Sequence, residues 1–412
     1  MNYFKITTLA AILFLVSSAS CDERKTNNEQ DLPEEQYPPV ETGERNIDFE
    51  PAFEGQTRIA GVKTKTPYTV ETISTELDSP WAITELPDGR FVINEKAGTM
   101  RIATKDGTLS DKIDGFPEVD DRNQGGLLDV AHAPDFEQSR LLYFSLAERT
   151  GQGSLTAVGK GRLSDDETTI ENFTIIYRAI PHFDNSMHFG SRLLFDSNGN
   201  IFVTTGERSD LATRPNAQML ETAHGKVINI TPDGEPVSGN PFIDEPNALP
   251  EIYSYGHRNP QGLDIHPTTG DLWLSEMGPR GGDELNIIEP GLDYGWPTIT
   301  YGIEYNGKII GEGITQHEGM EQPVYYWDPV LSPSGMTFYS SNVIPEWENN
   351  LFIGGLNSRH IARIVIDGNK VVGEERLLED EGERMRDIEE GNDGALYVVT
   401  DSGKLIRVSK SE

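Results

Sequence analysis

The chain has 412 residues, with 41 Gly, 25 Pro and only 36% hydrophobic residues, a composition that favours many turns over long helices and leaves the domain count open. Lys and Arg number 34 against 68 Asp and Glu, a net charge of −34. Such a surface repels nucleic-acid phosphates and anionic membrane faces, which argues against both as partners and otherwise describes a well-solvated exterior.

At the N-terminus, Met1 to Lys5 is followed by an apolar run from Ile6 to Val16 and then by Ser17-Ser-Ala-Ser20-Cys21. This is the layout of a secretory signal, too short to span a membrane with flanks. Cys21, the only cysteine, sits where a bacterial lipoprotein carries its lipidated first residue, although Ser18 stands where an aliphatic residue is usual. Residues 1–20 are therefore expected to be removed, leaving an exported periplasmic or cell-surface protein that meets the membrane only through a lipid on Cys21. The simpler alternative is a plain signal cut nearby. Residues 22–66 are rich in Glu, Pro, Asn and Gly with few clustered hydrophobes and read as a disordered acidic tether. With no disulfide available, stability must come from packing or bound ions.

From residue 67 to 410 one pattern recurs: a Pro/Asp/Asn/Gly turn, an alternating apolar strand, then a small or acidic residue. Its strands begin at Phe91, Leu142, Ile201, Leu272, Leu351 and Leu396, and several copies end on an acid, as in Phe91-Val-Ile-Asn-Glu95 and Thr205-Gly206-Glu207. One copy would signal only a hairpin; six, at the spacing of four-stranded units with variable loops, predict an all-β fold, a six-bladed β-propeller of four-stranded antiparallel blades. Strand ends then crowd around one mouth of a central channel, where residues distant in sequence can meet.

No P-loop, H-E-x-x-H or G-x-S-x-G occurs, and the acidic turn at Asp196 lacks the Glu that a calcium loop needs at its twelfth position. What stands out is a set of polar residues in turns beside the repeat strands: Gln124, His188, Arg258 and Asn259, and Arg384 with Arg386. Residues two apart on a strand share a face, so the last two guanidiniums point the same way and, with Arg258, form an anion pocket within an acidic protein. Each Arg could instead be an interblade ion-pair partner, and Arg386 adjoins Asp387. His188 could be a structural histidine, or a neutral imidazole that takes a hydroxyl proton near pH 7. Residues 253–297 hold Gly and Pro beside charged groups at strand ends, as loops that carry sites do.

At these residues the chain resembles the soluble quinoprotein sugar dehydrogenases, the glucose/sorbosone dehydrogenase family. The resemblance spans about residues 70 to 410 and rests on Pro80-Trp81-Ala82, Gln124-Gly-Gly-Leu-Leu-Asp129, His188-Phe-Gly-Ser-Arg192, Gly256-His-Arg-Asn-Pro-Gln-Gly262, Gly278-Pro279 with Asp283-Glu284, Tyr294-Gly-Trp-Pro297, Ser334-Gly-Met336 and Arg384-Met-Arg-Asp387. It implies a six-bladed propeller that binds pyrroloquinoline quinone (PQQ) and Ca2+ and oxidises aldose sugars at the anomeric carbon to aldonolactones, passing electrons to an external acceptor. It implies that His188 is the general base and that Arg258 stabilises charge on the quinone oxygen. Gln124, Asn259, Tyr305, Ser334, Gly335, Met336, Arg384 and Arg386 would be further quinone contacts. Gly278 and Pro279 would give calcium their carbonyls, while Glu284 and Tyr294 would hold a second calcium. Asn357 stands where the family carries Lys, which weakens an anion contact unless Arg359 replaces it. Met277 stands where some members have Gln.

Two other readings remain at this stage. A calcium-dependent propeller lactonase needs several acidic or amide side chains around one ion. A non-catalytic binding propeller needs neither His188 nor an anion pocket.

Overall fold

The computed structural model describes residues 37–411. The signal, Cys21 and the first part of the expected tether lie outside the described residues. Six antiparallel sheets are arranged in a ring, and the innermost strand of each contacts the innermost strand of the next. These inner strands are Pro80–Glu85, Leu127–His132, Gly190–Phe195, Pro260–Ile265, Pro333–Phe338 and Met385–Glu390, which open blades one to six. The six-bladed propeller expected from the repeat is the fold. Five sheets have four strands; the sheet of blade one has three, its outer edge reduced to isolated bridges from Met100 to Ile113 and from Ala103 to Leu109. Among the described residues helix is confined to Phe136–Ser139 and three short 3-10 turns.

Each repeat strand found in the sequence is the second strand of its blade: Phe91–Glu95, Leu141–Thr150, Ile201–Thr205, Leu272–Glu276, Leu351–Gly355 and Leu396–Thr400. Such a strand has a neighbouring blade on either face, so both of its faces are apolar and the run is nearly continuous. Neighbouring blades share apolar clusters accordingly. Val92 packs with Leu146 between blades one and two, Val203 with Tyr143 between two and three, and Val227 with Leu274 between three and four. Leu285 and Ile353 serve blades four and five, Ile361 and Val398 five and six, and Tyr397 and Phe91 six and one. The ring closes on the strand Tyr68–Ser74, which pairs with Leu405–Lys410 and so supplies blade six with its outer strand from the other end of the chain. Closure leaves no blade face unpaired.

The channel is bridged by one side chain. Arg192, on the inner strand of blade three, places Nη1 3.1 Å from Asp129 of blade two and 3.0 Å from Asp387 of blade six, and its Nε donates to the Gln261 carbonyl of blade four at 2.6 Å. Its guanidinium carbon lies 4.5 Å from the centre of the Trp81 ring of blade one. A Cβ on Gly335 of blade five would come within 1.5 Å of Asp387 and 2.8 Å of Arg192 Nη2, so that position must be Gly. All six blades meet at Arg192. Asp387 is thereby committed to Arg192, and the partner of Arg386 lies elsewhere.

The expected tether needs correction. From Tyr37 to Thr66 the chain is docked as a strap along blades four and five. Gln56 is fully buried, donating to the Pro323 carbonyl at 2.9 Å and accepting from Tyr301 Oη at 3.0 Å. Val62 N–H bonds the Glu374 carbonyl at 3.0 Å, and Thr64 N–H bonds Glu375 at 2.8 Å. The strap is held mainly by hydrogen bonds to carbonyls and carboxylates, so its sequence shows no apolar stripe to betray it.

Candidate active site

The six inner strands all start at one mouth of the channel, and the turns before them point side chains into it. Ser79, Asn123, His188 and Ser332, each one to four residues before an inner strand, share a left-handed φ of 47 to 53°. Non-Gly residues in that region tend to gather at functional sites. The turns enclose a cavity of about 810 Å³ lined by Gln124, His188, Arg258, Asn259, Gly278, Pro279, Tyr305, Asn357, Arg384 and Arg386, among others. Ten of the residues singled out from the sequence are thus brought together from five blades.

His188 is buried. Its Nδ1 lies 2.6 Å from Glu207 Oε1, and its backbone N–H donates to Gln124 Oε1 at 2.7 Å. Burial, helped by the nearby charge of Arg258, lowers the pKa of His188 to about 4 despite Glu207. The carboxyl of Glu207 is held below its usual value, because the pull of His188 and Arg258 outweighs the upward push of burial. Neutral His188 therefore donates Nδ1–H to ionised Glu207, and Nε2 carries the lone pair. Gly206 makes the approach possible, since a Cβ there would meet the His188 carbonyl oxygen at 2.2 Å. Arg208 stacks 4.0 Å from the Phe189 ring centre and hydrogen-bonds the Met187 carbonyl, fixing the turn.

Glu207 was not assigned a role from the sequence, yet its signal was present in the acid that ends several repeats. Those acids receive the mouth turn of their own blade. Glu95 accepts from Asp78 N–H at 2.8 Å, Glu276 from Arg258 N–H at 2.6 Å, and Asp401 from Arg384 and Arg386 Nε at 2.7 Å each. Glu276 also binds buried His257 at 3.0 Å, a second His–carboxylate pair that does not line the cavity. Burial pushes the carboxyl of Asp401 up, but Arg386 and Arg384 bring it below its ordinary value, so the trio carries a net positive charge.

Arg258 directs Nη1 to the carbonyls of Met277 at 2.8 Å and Gly278 at 2.6 Å, and its guanidinium lies 5.2 Å from the Trp296 ring centre. Its Nε is buried without a hydrogen-bond partner. Asn259 Oδ1 accepts from Gly190 N–H at 3.2 Å and Gln261 at 3.3 Å.

Other expected residues lie elsewhere. Ser334, Gly335 and Met336 are inside the inner strand of blade five, beyond the turn; Ser332 lines the cavity instead, while Ser334 Oγ donates to the Arg386 carbonyl at 2.6 Å. Arg359 donates to the Gly382 carbonyl at 2.7 Å and does not line the cavity, so it does not replace a cation at Asn357. Tyr294 stacks on His257 at 4.7 Å, and Glu284 faces Glu276 across paired strands. No group of three or more His, Cys, Asp or Glu suited to a metal ion occurs among the described residues.

The family model for Glucose / Sorbosone dehydrogenase matches residues 77–407. The chain belongs to this family. It is an oxidoreductase, and one relative and two solved structures show what it is similar to. "Aldose sugar dehydrogenase YliI" of Escherichia coli (strain K12) is 45% identical over 345 residues, covering 82% of this chain and 92% of the relative. The crystal structure of the soluble aldose sugar dehydrogenase from Escherichia coli in the apo-form aligns with a TM-score of 0.80 at 43% identity, over 84% of this chain and all of that one. The PQQ-bound aldose sugar dehydrogenase from Streptomyces coelicolor aligns with a TM-score of 0.69 at 27% identity, over 84% of this chain and 99% of that one.

Proposed function

We propose that this glucose/sorbosone dehydrogenase oxidises aldose sugars at the anomeric carbon to aldonolactones, with PQQ as hydride acceptor and His188 as base. The observation that carries this reading is the buried His188–Glu207 pair opening onto a cavity furnished with Arg258, Arg384 and Arg386. The residues fit an anionic quinone. The cavity has the volume of a small-molecule site, Arg258 Nε is an orphaned buried donor, and Arg384 and Arg386 line the cavity with guanidiniums suited to carboxylates, although Arg384 Nη1 also donates to the Leu356 carbonyl. Gln124, Asn259 and Tyr305 would complete its contacts. For calcium, the donors would be the Pro279 carbonyl and the lone pair of the Gly278 carbonyl that its bond from Arg258 Nη1 leaves free, a hard-oxygen pair of the kind the ion takes. Bound quinone would supply the two-electron acceptor, and calcium a Lewis acid beside it.

The chain's own part is positional and electrostatic. Glu207 fixes the ring of His188 so that Nε2 accepts the proton of the anomeric hydroxyl as the hydride leaves that carbon, and the imidazolium formed is stabilised by the carboxylate. Arg258 stands ready for negative charge that develops during transfer. Electrons then pass to an external acceptor. We further propose export, with anchoring through Cys21.

A lactonase is disfavoured by the lining of the cavity, where Asp401 is the single carboxylate among the described residues and is committed to two arginines. Reconstituting the apoprotein with calcium and PQQ, then following the bound-quinone spectrum and dye reduction with a panel of aldoses, tests the proposal. No quinone uptake and no sugar-dependent turnover would overturn it.

A further inference from the structure

The strap precedes the family match, which begins at residue 77, yet it reaches the cavity. Asn46 lines the cavity together with Arg280, Tyr305 and Pro329. It is fastened by blade four: its backbone N–H lies 3.0 and 3.1 Å from the two carboxylate oxygens of Asp328, and its Nδ2 donates to Asp328 Oδ1 at 2.8 Å and to the Pro329 carbonyl at 3.0 Å. Both amide hydrogens thus have acceptors, and Oδ1 is left to accept from Arg280 Nε at 2.8 Å. The Arg280 backbone is pinned by a reciprocal pair of bonds to Ile303, at 2.9 and 3.1 Å. The two terminal nitrogens of Arg280 make no hydrogen bond or ion pair with the described residues, and the residue is exposed. Arg384 and Arg386 are both paired with Asp401, and Arg258 sits on carbonyls; the guanidinium of Arg280 is oriented by Asn46 and has no carboxylate partner among the described residues, in a chain of net charge −34.

We propose that Asn46 and Arg280 form a subsite at the mouth for the carboxylate of a hexuronic acid, making the strap part of the substrate site. A hexuronic acid keeps the anomeric hydroxyl that His188 requires and carries its charge at the other end of the molecule. A planar guanidinium binds a carboxylate through two parallel hydrogen bonds, and one already held at Nε loses less freedom on doing so. The proposal rests on the reading of the cavity as an aldose-oxidising site.

The test compares wild type, Asn46→Ala, Arg280→Gln and Thr64→Ala as PQQ- and calcium-loaded enzymes, with glucose and glucuronic acid as substrates. Arg280→Gln, which removes both charge-assisted bonds to the carboxylate, is expected to raise the KM for glucuronic acid at least about tenfold, and Asn46→Ala, which only frees the guanidinium, by less, both at unchanged kcat. The KM for glucose should change far less. Thr64→Ala loosens the strap away from the mouth, so it should lower the melting temperature and move neither KM. If Asn46→Ala fails to fold, Arg280→Gln, at an exposed position, carries the test. An unchanged glucuronic acid KM in Arg280→Gln, or a loss of quinone affinity in its place, overturns the subsite. Calorimetric binding of glucuronic acid to quinone-free protein separates the two ideas. Arg280-dependent binding without turnover of any aldose removes the oxidase reading and keeps the subsite; glucose turnover with Arg280-independent binding does the reverse.

Discussion

His188 and Glu207 lie on either side of the first hairpin of blade three, with Nδ1 2.6 Å from Oε1. The second carboxylate oxygen, Oε2, is buried and has no hydrogen-bond partner. The charge of Glu207 is thus spent on the histidine and on Ser209 N–H, which meets the same Oε1 at 3.0 Å. One tautomer of His188 follows, with Nε2 as the proton acceptor.

Replacing His188 by Gln should lower kcat by about 10²- to 10⁴-fold, the usual worth of a general base, while quinone binding persists. Glu207→Gln keeps the shape but can turn its amide NH2 to Nδ1 and favour the wrong tautomer. A smaller loss in kcat with little change in KM is expected. Steady-state dye reduction beside a quinone-uptake spectrum separates these effects, and unaltered kcat in Glu207→Gln would remove its proposed role.

The pH profile should follow. Burial, then the charge of Arg258, brings His188 to about 4 from an ordinary 6.5. The working form is the neutral ring, so activity falls as pH drops through the folded pKa. The acid limb of kcat/KM is therefore expected near pH 4. Arg258→Met removes the second cause, so the limb of its residual activity should move to higher pH. A wild-type limb near 6.5 would contradict the burial argument.

Arg192 holds Asp129 and Asp387, all three side chains nearly excluded from solvent. Arg192→Met leaves two buried carboxylates without their cation, and breaking such a pair costs about 3–5 kcal/mol. The midpoint of urea unfolding should fall accordingly. A stability equal to wild type would mean that the channel bridge is dispensable.

Glu284 stands opposite Glu276 on paired strands. Burial pushes its carboxyl well above the ordinary value, and Glu276 and Asp283 add to this. Without a cation the unfolded carboxyl ionises above about pH 4.5 while the folded one stays protonated, so stability should decline as pH rises. Calcium should raise the melting temperature and a chelator lower it. Glu284→Gln should melt no lower than wild type in chelator and lose the part of the calcium response that comes from the second ion; an undiminished response would mean that Glu284 holds no ion.

The repeat strands were legible because a strand sandwiched between two blades must be apolar on both faces, and the turns between them need Gly, Pro, Asn or Asp. Those runs at Phe91, Leu142, Ile201, Leu272, Leu351 and Leu396 determined the propeller by themselves. The polar residues in the mouth turns, among them Gln124, His188, Arg258 and Arg384, were equally visible, since nothing in a core explains them. Pairing was not. Arg192 and Asp387 are 195 residues apart and meet only because the ring closes. Ser334 to Met336 fell inside a strand, and Arg359 turned to a carbonyl, for reasons of register and backbone direction that composition does not carry. The strap hid in a polar sequence because hydrogen bonds to particular carbonyls leave no periodic pattern. Local chain chemistry decided which residues are strands and which are available at the mouth; closure of the ring alone decided which of them touch.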